Sequence, residues 1–288
     1  MANHPRTVLI TGCSKGGIGH SLASSFHDAG LLVFATAREL SSMEDLAIRG
    51  IKTFSLDVTL PEDVQRVRQR IEEFTEHGLD FLVNNASVDC TVPSVDIADD
   101  DIQSTFETNV FSVMRMVREF TPLLILAKGT IINIGSVAAV IPYVFSGIYN
   151  ASKAALHAYS NTLRLELAPF GVKVMIVVTG GIKSRITRTK RTLNENSIYL
   201  PISDAFERRV THSQEGAMRN EDYARCVVNQ ALQAKPPRWL WQGNKSWIIW
   251  FLDSFFPRSI WGGLFMPLLE SMLGLYALIT QAKRAKPR

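Results

Sequence analysis

Tyr149 and Lys153 stand four residues apart in Tyr149-Asn150-Ala151-Ser152-Lys153. On a helix that spacing sets both side chains on one face, so a phenol and an ammonium can meet. A free phenol has a pKa of about 10 and keeps its proton at neutral pH. A nearby ammonium favours the phenolate and lowers that value. The pair can then exchange a proton with an alcohol oxygen. Upstream, Ser136 closes an apolar run in Ile134-Gly135-Ser136, where a hydroxyl can hold a carbonyl oxygen. Taken alone, Tyr-x-x-x-Lys also fits an ordinary solvated helix face.

A second cluster sits near the N-terminus. Thr11-Gly12-Cys13-Ser14-Lys15-Gly16-Gly17-Ile18-Gly19 follows an apolar run directly. A glycine loop between a strand and a helix offers bare N–H groups to a pyrophosphate. The spacing is one residue longer than G-x-x-x-G-x-G, so a plain glycine-rich turn stays open as a reading. Lys15 inside the loop and Arg38 after the second apolar run supply cations where a 2′-phosphate would lie. The second run ends in Thr36-Ala37-Arg38, with no acid at that point until Glu39 to take a ribose 2′-hydroxyl. These features favour NADP(H) over NAD(H).

These residues need a scaffold. Apolar runs of strand length fall at 7–10, 31–36, 52–56, 81–83, 130–134 and 172–177. Several are continuous, as in strands buried on both faces of a parallel sheet. Helical patterns lie between them at 18–29, 61–77, 100–126 and 149–170. Strand–helix alternation predicts an α/β fold, a Rossmann-type doubly wound parallel sheet flanked by helices. In that architecture ligands bind at the carboxyl ends of strands.

The chain has 288 residues, 46% of them hydrophobic, and a net charge of +4. That charge is too small and scattered for a nucleic-acid footprint. Three distant cysteines form neither a disulfide framework nor a metal pattern, which favours a reducing compartment. No signal-peptide core precedes the first strand. Composition shifts near Lys235-Pro236-Pro237. We therefore expect a catalytic domain over 1–237 and a hydrophobic, aromatic-rich extension over 238–288.

Together these motifs resemble the short-chain dehydrogenase/reductase family over residues 7 to about 235. The family's glycine loop appears with one extra residue, implying cofactor contacts at Gly12, Ser14, Lys15, Gly17, Ile18 and Gly19. Its adenine-contacting acid matches Asp57, followed by Val58. Its Asn-Asn-Ala-Gly appears as Asn84-Asn85-Ala86-Ser87, which implies contacts at Asn85 and Ala86 and departs from glycine at Ser87. Asn109, Ser136, Tyr149 and Lys153 match the catalytic tetrad. After the sixth strand Thr179 replaces the family's proline, Ile182 is expected at the nicotinamide carboxamide, and Ser184 stands in for a threonine. The resemblance implies a carbonyl reductase, reversible as an alcohol dehydrogenase. In it Tyr149 protonates the oxygen, Lys153 binds the nicotinamide ribose, Ser136 orients the carbonyl and Asn109 anchors a proton-relay water. A non-catalytic NADP-binding scaffold is the rival reading, and a filled tetrad argues against it.

Two further stretches bear on substrate and location. Residues 183–191 hold five cations and no acid, either a solvated face or an anion contact. All five tryptophans lie between Trp239 and Trp261, and residues 260–280 are almost wholly apolar apart from Glu270. Such a tail fits a helix lying on a membrane, a soluble lid or dimer contact, or a span. The loop, the Thr-Ala-Arg after the second strand and this tail resemble the fungal 1-acyldihydroxyacetone-phosphate reductases and relatives that tailor polyketide, terpenoid or steroid-like ketones. That implies a small lipophilic ketone and the cytoplasmic face of the endoplasmic reticulum or a lipid droplet, with the cytosol as alternative. Helices 100–126 and 149–170 form the dimer face in the family, which leaves a homodimer open, and the hydrophobic tail could add to that face or block it.

Overall fold

The computed structural model describes residues 5–184, 191–212 and 216–263. Seven strands form one sheet: β1 (Thr7–Thr11), β2 (Leu32–Ala37), β3 (Lys52–Ser55), β4 (Phe81–Asn84), β5 (Thr130–Ile134), β6 (Lys173–Thr179) and β7 (Trp239–Gln242). Their order is β3-β2-β1-β4-β5-β6-β7, and each neighbouring pair is parallel. The order reverses between β1 and β4, which makes the crevice at their carboxyl ends the natural ligand site.

Alternate strand residues feed two cores, because successive side chains point to opposite faces. Val8, Ile10, Val83 and Val177 pack with Leu22 and Phe26 of α1 (Ile18–Asp28) and Tyr223 and Val227 of α8 (Asn220–Ala231). Leu9, Leu82, Ile131 and Val174 pack on the other face. There they meet α3 (Pro61–Glu72), α5 (Ser112–Ala127) and α6 (Gly147–Leu167). Each fully buried aliphatic side chain of this kind stabilises the fold by about 1.5–3 kcal/mol. The remaining helices are α2 (Glu44–Ile48), α4 (Asp99–Phe106), α7 (Ser203–His212) and α9 (Ser246–Phe255).

The structure departs from the sequence expectation in three places. The helix expected over 100–126 is α4 and α5 joined by a π-helical turn, Glu107–Phe111, which carries Asn109. Such turns cluster at functional sites because they re-aim one side chain. The helix expected to 77 stops at Glu72. Finally, β7 lies past Pro237, inside the stretch read as an extension, and Trp239 to Gln242 pair with Ile176 to Thr179. The sheet therefore continues beyond the expected boundary. The cationic residues 185–190 and the apolar and basic tail from residue 264 lie outside the described residues.

Candidate active site

Four strand ends converge on one crevice. β1 ends at Thr11, which hands the chain to the glycine loop. The loop makes its extra residue fit with a turn: Gly17 N donates to Ser14 O at 3.0 Å. Lys15 N donates to Ser42 O at 2.9 Å and Ser42 Oγ to Ser14 Oγ at 3.1 Å. The loop is thus fastened to the 3-10 turn Leu40–Met43 that follows Arg38. Lys15 Nζ lies 3.5 Å from Asp45, which also meets His20 at 3.1 Å. These partners hold the Asp45 carboxyl below its usual range, although its partial burial works against them. Exposed Arg38 stands on the same rim.

The residues of this cradle fit an NADP-type cofactor. Gly17 opens α1 with no side-chain cap, so the first-turn N–H groups face outward. Gly12 has φ +75°, and a Cβ there would sit 2.9 Å from Ala86 Cα. A Cβ on Gly19 would sit 2.4 Å from Gly12 O. Only bare backbone therefore forms this floor. Asn85 Nδ2 donates to Thr11 O and Gly12 O at 2.7 and 3.1 Å, so its side chain holds the loop from beneath. Ala86 N donates to Thr11 Oγ1 at 3.0 Å. Asp57 Oδ1 accepts from Thr59 N and Oγ1, which leaves Oδ2 for an adenine amine. The next residue, Val58, is buried and accepts from Arg115 Nη1 through its carbonyl. Ile182 is buried between neighbours clamped by Met218 and Asn244, and Ser184 follows in the same loop.

The tetrad gathers at the ends of β4 and β5 and the start of α6. Ser136 Oγ accepts from Ala138 N at 3.1 Å, which fixes its rotamer, and it lies beside the Tyr149 phenol. Lys153 Nζ donates to Ile134 O at 3.0 Å and sits 5.7 Å from the Tyr149 ring centroid. Asn109 Nδ2 donates to Val88 O and to Ser152 Oγ at 2.9 and 3.0 Å. Its Oδ1 accepts from Val88 N and Ser87 Oγ, both at 2.9 Å. That last bond gives Ser87 a task where the family pattern has glycine. Thr179 likewise earns its place by bonding the Tyr223 hydroxyl at 2.7 Å in the core.

The electrostatics correct one expectation. Lys153 was expected to lower the Tyr149 phenol. Instead, burial and then the negative charge of Asp89 push that phenol above its ordinary value, and Ser136 works the other way. Burial also pulls Lys153 down to about 8, against the opposing pull of Asp89. A phenol with a raised pKa stays protonated at neutral pH, which is the state a proton donor needs.

Several residues of the site escaped the sequence reading. His157 lies one turn beyond Lys153, and its Nε2 accepts from Ser136 N at 3.4 Å. Burial and the Lys153 charge push the imidazole down to about 3, so it is neutral and its lone pair is free to accept. Its ring meets Trp239 of β7 edge-on at 5.4 Å. The four-residue step from Lys153 could have revealed it. Asp89, Ser152, Arg209 and Tyr223 carry no comparable signal, because only the fold brings them here. Trp261 and Ile249 of the C-terminal segment pack on Val137 and Ile141 beside Ser136.

A parallel sheet with this strand order, a glycine loop at its switch point and a Ser–Tyr–Lys group at the neighbouring strand ends define a short-chain dehydrogenase. The chain belongs to that family: residues 6–195 match the short chain dehydrogenase model. It is 43% identical over 274 residues to a short-chain dehydrogenase of Pyricularia oryzae, covering 93% of this chain and 96% of that one. It is 40% identical to the NADPH-dependent 1-acyldihydroxyacetone phosphate reductase of Schizosaccharomyces pombe, covering 89% and 85%. Among solved structures it resembles a short-chain dehydrogenase from Streptomyces avermitilis. The TM-score is 0.76 at 27% identity, covering 88% of this chain and 94% of that one.

Proposed function

We propose that this protein is an NADP(H)-dependent carbonyl reductase that acts on a lipophilic ketone and runs in reverse as an alcohol dehydrogenase. The observation that carries the reading is the convergence of Ser136, Tyr149 and Lys153 beside the bare glycine loop. Gly12, Gly17 and Gly19 floor the pyrophosphate site, and Lys15 and Arg38 receive the 2′-phosphate. When bound, NADPH supplies the hydride.

The chain's own residues do the rest. Ser136 Oγ donates to the substrate carbonyl oxygen and fixes its direction. As the carbonyl carbon gains hydride, Tyr149 Oη passes its proton to that oxygen, giving the alcohol and a phenolate. The Lys153 ammonium steadies that phenolate and holds the ribose hydroxyls. Asn109 positions Ser152 and the strand-end loop, and it supports proton return to Lys153.

The apolar packing of Trp261 and Ile249 next to the catalytic loop supports an apolar substrate. We further propose that α9 rests on a membrane surface, on the cytoplasmic face of the endoplasmic reticulum or a lipid droplet. Trp247, Trp250, Phe251 and Phe255 stand exposed on it, and aromatics of this kind settle at interfaces. Among the described residues no helix is long and apolar enough to cross a membrane. Exposed Phe111 and Met114 near the start of α5 and exposed Leu165 on α6 support a homodimer through those helices.

The test is NADPH oxidation with 1-acyldihydroxyacetone phosphate and with a panel of hydrophobic ketones. Turnover should fall by about 10²–10⁴-fold in Tyr149→Phe while NADPH binding persists. Retained turnover in that variant would remove Tyr149 from its role. Bound NADPH with no carbonyl reduced would favour a scaffold.

A further inference from the structure

One buried titratable side chain beside the tetrad has no task in the reaction above. His157 lies on α6 one turn beyond Lys153, and 7% of it is exposed. The ladder from β5 to β6 ends with Gly135 N, which donates to Val177 O at 2.8 Å. Ser136 N is the next donor along, buried and past the end of β5. A buried N–H needs an acceptor. Here a side chain supplies it, His157 Nε2 at 3.4 Å. The ring is seated directly on this backbone, since a Cβ on Gly135 would sit 2.2 Å from Nε2.

The same helix grips the strand exit a second time, because Lys153 Nζ donates to Ile134 O at 3.0 Å. α6 thus gives a donor to the carbonyl before Gly135 and an acceptor to the N–H after it. Tyr149 stands in the first turn of that helix, so the two bonds set Ser136 against Tyr149. Ser136 is then held at both ends. His157 takes its backbone N–H, and Ala138 N donates to its Oγ at 3.1 Å. The bond also fixes the tautomer. A backbone N–H only donates, so Nε2 is bare and a neutral ring carries its hydrogen on Nδ1. Burial and the Lys153 charge keep the ring in that neutral form. Trp239 of β7 braces the ring edge-on, with 84° between the planes. Arg164, two turns further along α6, lies over the Trp239 ring at 5.9 Å.

We propose that His157 is a positioning residue for carbonyl reduction: its bare Nε2 holds the Ser136 N–H and so sets the direction in which the Ser136 hydroxyl meets the substrate oxygen. This rests on the carbonyl-reductase reading, in which Ser136 donates to that oxygen. The bond itself and the tautomer stand apart from that reading.

The experiment uses the full chain, saturating NADPH and a hydrophobic ketone that the wild type reduces. His157→Leu fills similar space but accepts no hydrogen bond. It should lower kcat by roughly tenfold to a hundredfold, the scale of a displaced positioning group, while NADPH affinity holds. His157→Gln keeps an acceptor at the end of its side chain and should lose less than His157→Leu. A packing role predicts the opposite order, since burying an amide costs more than burying a leucine. In a Ser136→Ala background, His157→Leu should cost almost nothing further, because its route through the hydroxyl is gone. A reversed order of the two variants, or a full second loss in that background, overturns the proposal. If the wild type reduces no ketone, the catalytic reading falls separately, and NMR of nitrogen-labelled histidine decides the bond. Among the six histidines of the chain, the signal that disappears in His157→Gln should show a bare Nε2 and a protonated Nδ1. It should stay so between about pH 5 and pH 8. A ring with its hydrogen on Nε2, or one that titrates near the ordinary value of about 6.5, overturns the proposal.

Discussion

Replacing Gly135 by alanine would place a methyl group 2.2 Å from His157 Nε2, 2.9 Å from its Cδ2 and 3.2 Å from Val177 O. Neither side gives way freely. The imidazole is held by the Trp239 edge and by the Ser136 N–H, and Val177 O is backbone within the sheet. Overpacking of this kind costs about 1–3 kcal/mol. At about 2–4 °C per kcal/mol for a domain near this size, the melting temperature should fall by about 2–12 °C. Activity should fall further than stability, because Ser136 is the next residue along. A displacement of about 1 Å at a positioning group costs on the order of 10²-fold. His157→Ala removes the obstacle, so the double variant should be less damaged than the two single losses added together. Coupling between touching residues is typically about 0.5–3 kcal/mol. The measurements are thermal melting and kcat/KM for the wild type, both single variants and the double. A Gly135→Ala protein that melts and turns over like the wild type would refute the reasoning. Strict additivity would show that the two residues do not press on each other.

Three further outcomes follow from the same geometry. Lys153 loses its proton at about 8 instead of its usual 10.5, so its ammonium is present below that pH and lost above it. Ketone reduction should therefore decline as pH rises past about 8, and the decline should vanish in Lys153→Arg; a wild-type profile flat to pH 10 contradicts this. Lys15→Ala should weaken NADPH binding much more than NADH binding, measured by fluorescence titration, and equal losses would take Lys15 out of the 2′-phosphate site. Changing Trp247, Phe251 and Phe255 together to serine should reduce flotation with anionic vesicles, whereas a wild-type chain that stays with the soluble fraction ends the membrane proposal.

Six strands and the grouping of Ser136, Tyr149 and Lys153 were legible in the sequence because each rests on local information, whereas Asn109 came only from the family resemblance. Buried parallel strands read as continuous apolar runs, and Tyr149, Lys153 and Ser136 announce themselves by spacing. β7 was not legible. Trp239-Leu240-Trp241-Gln242 is aromatic enough to suggest an interface, and only the free edge of β6 decides that it is a strand. The π turn at Asn109 was hidden for another reason. The apolar pattern runs through it without a break, and the turn exists to bring one amide onto Val88 and Ser152. α7 and α8 went unassigned because their burial depends on partners distant in sequence. The same is true of Asp89, whose charge the fold brings to bear on Tyr149, and of Arg209, which the fold sets over the Tyr143 ring. The direction of the Tyr149 shift was also beyond reach, since it depends on burial and on Asp89, neither of which spacing reveals.

β7 has a practical consequence for anyone who shortens this chain. The composition invites a cut at Pro237, where the aromatic stretch begins. Such a cut would strip β6 of its neighbour and leave a bare strand edge, the usual template for self-association. It would also take Trp239 from His157 and Trp261 from the wall beside Ser136. An insoluble or sluggish fragment would then say nothing about membranes, because the loss would come from an unzipped sheet. A protein meant to ask that question should keep β7 and Trp261 in place and alter only the outward face of α9.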